Sequence, residues 1–153
     1  MNWIHLHLAL NHIPVIGLLF VTLLLFTGVI RRSEEIKRLA LWWLAILSVA
    51  AIAIKFTGDF AAENVEKYQL LDSGLVDKHE QSADQATTGV FLVGVMATVA
   101  LICGRRGKPV PAWANITVLV LSLLTFLLLA RTANTGGQIR HPEVRPKTVE
   151  RAE

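Results

Sequence analysis

Four apolar runs decide what this chain can become. They cover residues 8–30, 39–56, 86–103 and 110–130. Each is about 18–23 residues long, enough for a helix to cross about 30 Å of hydrocarbon. A backbone in lipid must satisfy its own hydrogen bonds, so only helices or a closed barrel qualify. The runs are continuous in Leu, Val, Ile and Ala without the alternation of a barrel strand, which selects helices. Of 153 residues, 53% are hydrophobic, more than a soluble domain of this length buries. The expectation is an all-α integral membrane four-helix bundle over 1–141, with a charged tail over 142–153.

Processing and redox chemistry leave little trace. The opening Met1-Asn2-Trp3-Ile4-His5 has neither the basic start nor the small-residue cleavage site of a removable signal peptide. Cys103 is the single cysteine. It permits no intrachain disulfide and no CxxCH heme attachment, and reads as a small buried hydrophobe.

Charge divides the connections. Arg31, Arg32, Lys37 and Arg38 lie between the first two runs with Glu34 and Glu35, and Arg105, Arg106 and Lys108 lie between the last two. The long connection, 57–85, is acidic, with Asp59, Glu63, Glu66, Asp72, Asp77, Glu80 and Asp84 against Lys67 and Lys78. The positive-inside rule puts the basic hairpins in the cytoplasm and the acidic connection in the periplasm of an inner membrane. The tail runs against this with Arg131, Arg140, Arg145, Lys147 and Arg151, but the short hairpins carry more weight. Within 57–85, the stretch from Gly58 to Tyr68 is amphipathic, Asp72-Ser73-Gly74 signals a turn, and a helical pattern resumes at Leu75. This segment is expected to cap the bundle on the periplasmic side. No internal repeat is legible beyond the pairing of two hairpins.

Topology then gathers the histidines. The chain has five: His5, His7 and His12 at the start of the first run, His79 before the third and His141 after the fourth. An even number of crossings leaves both termini and the long connection on one side, so all five share a membrane face whichever way the chain inserts. Imidazole is the commonest metal ligand, and an ionisable group at the bilayer boundary is a site by default. His5 and His12 are two turns apart on one face, while His7 points elsewhere and reads as an interfacial anchor beside Trp3. Pro14 either opens the helix or kinks it. His12 sits at the apolar boundary, and His79 on the helix that becomes the third crossing.

A b-type heme needs two neutral imidazoles from different helices, apolar walls, and donors for its propionates. His12 with His79 is the first pair of ligands, His5 and His141 the next, and Arg131, Arg140 and Asn134 the propionate partners. Gly17, Gly89 and Gly94 would give a macrocycle room, although small residues also serve helix packing. A periplasmic-side zinc or copper ion is the rival, on His79, Glu80, Asp84, Asp59 and Glu63. No HExxH, nucleophile elbow or phosphate loop is present, and the basic residues at helix ends suit anionic lipid headgroups rather than nucleic acid.

The segments His5-Leu6-His7-Leu8, Asn11-His12-Ile13-Pro14-Val15-Ile16-Gly17, Thr57-Gly58, His79-Glu80, and the run from Thr132 through Gly136-Gly137 to His141-Pro142-Glu143 together resemble a family of small bacterial four-helix membrane proteins with no assigned activity. The resemblance spans nearly the whole chain. More loosely, His12-Ile13-Pro14 is similar to an H-x-P element in a broader predicted membrane family whose architecture looks like the four-helix b-type cytochromes. The chain departs from the pattern at Asp59-Phe60, where Glu-Pro follows Thr-Gly. The resemblance implies that the histidine-bearing segments form one cofactor site. The expected function is heme-b binding for electron transfer, between a quinone and a periplasmic carrier such as a cytochrome c, as a subunit of a larger complex. The alternatives are a cofactor-free structural subunit and the zinc or copper site.

Overall fold

The computed structural model describes residues 2–67 and 73–145; Tyr68, the expected turn at Asp72 and the far tail lie outside the described residues. Five α-helices follow one another: α1 (Trp3–Leu10), α2 (His12–Ile30), α3 (Glu34–Lys67), α4 (Ser73–Cys103) and α5 (Ala112–Arg140), then a 3-10 turn at Pro142–Val144.

Local chemistry accounts for the breaks. Asn2 Oδ1 accepts the His5 N–H at 3.3 Å and starts α1. Pro14 has no N–H to give the Leu10 carbonyl, and the first crossing accordingly breaks at Asn11 between α1 and α2. Ser33 Oγ takes the Ile36 N–H at 3.4 Å, and Glu34 and Glu35 occupy the positive end of α3. Arg106 and Gly107, at φ 57 and 76, turn the chain from α4 toward α5. Arg145 closes α5 by donating its Nε–H to the Gln138 carbonyl at 2.8 Å.

The connection expected as a loop over 57–85 takes a different form. α3 runs on to Lys67 and α4 begins at Ser73. Ala61, Val65 and Val76 remain buried there, so the helix extensions keep an apolar stripe covered and the backbone stays helical.

The four long helices form a square. α2 packs on α3 and α5, and α4 packs on the same two, which leaves α2 facing α4 across the diagonal. Four crossings, Trp3–Ile30, Glu34–Val65, Ser73–Cys103 and Ala112–Arg140, are long and apolar enough to span a membrane. Burial inverts the soluble pattern. Phe20, Trp42 and Leu127 stand 60–66% exposed, whereas Thr22, Ser48, Ser82, Asn115, Ser122 and Thr125 are inside. In lipid, apolar surface gains nothing by being hidden, and small or polar residues mark the helix contacts instead. This is an integral membrane bundle.

The two hairpins share a spacing of buried residues. Pro14, Leu18, Thr22, Leu25 and Gly28 are buried on α2, and Ala86, Val90, Gly94, Ala97 and Ala100 are buried at the corresponding positions of α4. Gly17 of α2 closes on Leu47 of α3, and Gly89 of α4 closes on Thr125 of α5; a Cβ at either glycine would sit 2.9 Å from that neighbour. The shared spacing is not legible as a sequence repeat, because the matched positions of the buried faces carry unlike residues.

Candidate functional site: a paired imidazole at the bundle mouth

One histidine from each hairpin lies at the same end of the bundle. His7 on α1 and His79 on α4 come from the diagonal helices. Their rings lie 6.4 Å apart between centroids, with planes at 71°. The other diagonal supplies the supports, Thr57-Gly58 on α3 and Thr135-Gly136 on α5.

Each ring is held in the same way. Thr57 Oγ1 donates to the Ile54 carbonyl at 2.6 Å, which leaves its lone pairs to accept from His7 Nδ1 at 3.2 Å. Thr135 Oγ1 donates to the Thr132 carbonyl at 3.0 Å. His79 Nδ1 lies 3.1 Å from that carbonyl and 3.2 Å from Thr135 Oγ1. A carbonyl only accepts, so His79 carries its proton on Nδ1; the spent hydroxyl of Thr57 imposes the same tautomer on His7. In both rings Nε2 is then a bare lone pair, with no hydrogen bond among the described residues.

Glycine sets the depth of each ring. A Cβ at Gly58 would lie 2.9 Å from His7 Cε1, and one at Gly136 would lie 3.0 Å from His79 Cε1. Both contacts are with the movable end of a side chain, so an added methyl turns the ring aside rather than prying the helices apart. Trp3 stacks on Phe60 at 4.8 Å and closes the wall between α1 and α3. One turn along from His7, the Asn11 side-chain oxygen is buried without a partner.

The other expected site residues lie elsewhere. His12, first choice to face His79, is exposed at the start of α2, because the inward stripe of that helix passes through Asn11, Pro14 and Leu18. His7 shares that stripe and takes the place assigned to His12. His5 is exposed. His141 is exposed and holds Glu143 at 3.0 Å, and the Glu143 carboxyl is kept below its ordinary range by its own backbone amide and by the His141 ring. Arg131, Arg140 and Asn134 are exposed on α5 at the histidine end; Asn134 accepts from Gln138 at 2.8 Å. The rival metal set does not assemble: Asp59 and Asp84 both close on Lys55, the latter at 2.9 Å. Among the described residues, no three His, Cys, Asp or Glu side chains come together.

The sequence carried a signal for His7 that was missed. Polar and small residues in an apolar helix mark its inner face, and Asn11, Pro14, Thr22 and Gly28 put His7 on that face. Thr-Gly occurs four times, at Thr27-Gly28, Thr57-Gly58, Thr88-Gly89 and Thr135-Gly136, so the dipeptide alone does not point to the two rings.

Replacing Thr57 or Thr135 with valine removes the acceptor that orients one ring. Ligand affinity at the pair should fall about 10–100-fold, the usual cost of losing an outer-shell partner. Gly58→Ala and Gly136→Ala should weaken binding similarly while leaving the thermal midpoint close to that of the parent. Titration of each purified variant, beside its melting curve, checks both statements.

These features define an all-helical membrane bundle with an imidazole pair at one end. The chain belongs to the family described as "Predicted membrane protein (DUF2231)", whose profile matches residues 4–142 and so spans both hairpins and both histidines of the pair. No curated protein and no solved structure matches the chain.

Proposed function

We propose that His7 and His79 are the two axial ligands of a b-type heme, and that the protein is an electron-transfer subunit of a membrane redox complex. The observation that carries this reading is the pair of neighbouring imidazoles, each fixed as the Nδ1–H tautomer with Nε2 bare. That is the ligating form of histidine, with the oriented second shell that metal-binding imidazoles have.

The donor count favours heme iron over a structural zinc. Zinc takes three or four protein ligands in a tetrahedral set, and here two imidazoles come close without a third His, Cys, Asp or Glu among the described residues. Buried Ala61, Val65 and Val76 lie toward the same end of the bundle as low-dielectric lining, and Arg131 and Arg140 are exposed there for carboxylates at the polar edge.

Bound heme would supply a one-electron iron couple whose potential is set by its axial ligands and its burial. The chain's own contribution is to hold both imidazoles at fixed tautomer and spacing in either oxidation state. Quinone on one side and a cytochrome c on the other are the expected exchange partners, with the histidine end periplasmic. Copper(I), which accepts two imidazoles, is the second reading.

Titration of the purified protein with hemin, and separately with copper(I) and zinc, tests the assignment. Saturation at one hemin per chain is expected, with no stoichiometric uptake of either ion. Stoichiometric copper without hemin binding would transfer the site to the second reading, and no uptake of any kind would leave a cofactor-free subunit.

A further inference from the structure

The end of the bundle opposite the histidines carries a feature that heme chemistry does not use. Arg38 of α3 and Arg105, Arg106 and Lys108 of the α4–α5 turn line an open hollow of about 750 Å³ together with Ile102 and Cys103; Cys103 is exposed, not the buried hydrophobe expected from the sequence. Four cations face it and no carboxylate lines it. Glu34, on the same end, is committed to Lys37 and accepts the Val110 N–H at 3.0 Å.

The hollow is built rather than incidental. The Arg38 guanidinium is pinned by the Gly104 carbonyl and by the Lys108 carbonyl, the latter at 2.7 Å, which ties α3 to the turn; its charge also acts on Glu34. Gly104 is buried, and a Cβ there would meet Val110 at 2.9 Å, so the turn is tightly fixed. Arg32 and Arg106 take the same left-handed conformation in the two hairpin turns, at φ 51 and 57; the turns differ in charge, since Glu34 and Glu35 follow Ser33 in the first.

The level of the hollow is also marked. Trp42, Trp43 and Trp113 stand exposed toward this end of the bundle, and exposed tryptophan collects at the headgroup layer. Ile102, 55% exposed beside the hollow, offers an apolar surface to an acyl chain. Clustered cations beside an apolar surface, at headgroup depth, match an anionic amphiphile.

We infer that this hollow binds the headgroup of a two-phosphate anionic phospholipid, cardiolipin in chemistry, with Arg38 and Arg105 to Lys108 on the phosphates and an acyl chain along Ile102.

Native mass spectrometry of the full chain, released from micelles doped with cardiolipin, phosphatidylcholine or inorganic pyrophosphate, reads the site directly. Cardiolipin should be retained at one per chain and phosphatidylcholine should not. Arg105→Gln with Lys108→Gln should weaken cardiolipin binding about 30-fold, from roughly fivefold per cation at the surface. These are exposed turn residues, and Arg38 keeps its structural bonds. The unaltered chain gives an independent readout, because cardiolipin should slow alkylation of Cys103 while phosphatidylcholine leaves it unchanged. Pyrophosphate retained as well as cardiolipin would identify a free-phosphate site and overturn the lipid assignment. Equal retention of both lipids, or an undiminished preference in the variant, would overturn it as well.

Discussion

Replacing His7 with alanine should abolish low-spin heme binding, and His12→Ala, on the same crossing, should leave it intact. The contrast follows from where the two rings point. His7 lies 6.4 Å from His79 and is fixed by Thr57, while His12 is exposed on the outer face of α2. On the proposed heme assignment, loss of His7 would remove one of the two imidazoles that hold the iron, whereas loss of an orienting partner costs only about 10–100-fold. The alanine effect should therefore exceed 100-fold in hemin affinity, and any residual complex should be high-spin. His79→Ala should have the same kind of effect, because it removes the other imidazole of the pair. Absorption spectra of the three variants, recorded at equal protein and hemin concentration, decide the matter. An intact low-spin spectrum in His7→Ala would remove His7 from the site.

The second large effect lies far from the histidines, at Gly94. A Cβ there would stand 2.0 Å from Ser48 Oγ and 2.3 Å from Ser48 Cβ. Unlike the ring edges above Gly58 and Gly136, Ser48 Cβ is fixed to the α3 backbone, and its hydroxyl is tied to the Ala45 carbonyl at 2.7 Å. Gly94→Ala must therefore separate α3 from α4, at a cost of about 1–3 kcal/mol as for other overpacked cores. Valine or leucine should prevent folding. Ser48→Gly should rescue Gly94→Ala by clearing the contact, so the pair should be strongly non-additive in a double-mutant cycle. Denaturant unfolding of the four proteins in one detergent measures the coupling, and additive effects would show that the helices do not meet there.

Much of this architecture was open to reading from the chain, for reasons that also explain what was hidden. Length and continuity of the apolar runs determine crossings, because only helices satisfy their backbone in lipid. Parity of crossings then gathers the histidines at one end. Which way each helix faces is harder to read. A helix that is apolar all round has no amphipathic contrast, since lipid and core ask for the same side chains. The phase of α2 must be taken from Asn11, Pro14, Thr22 and Gly28. Reasoning from His5 and His12, a pair seven residues apart, picked the lipid-facing stripe instead.

The shared spacing was hidden for a related reason. Thr22 corresponds to Gly94 and Leu44 to Ser122, pairs that fill similar positions on the buried face with unlike residues. Each hairpin also carries a histidine of the pair on its first helix and the Thr-Gly step that supports it on the second.

One measurement bears most directly on the paired-imidazole account: the reduced-minus-oxidised optical spectrum of the purified protein, produced with heme supplied and normalised to protein. The account predicts a sharp Soret band and the split visible bands of six-coordinate, bis-imidazole heme at one heme per chain. A protein of full length and native melting behaviour with no Soret absorbance would contradict it.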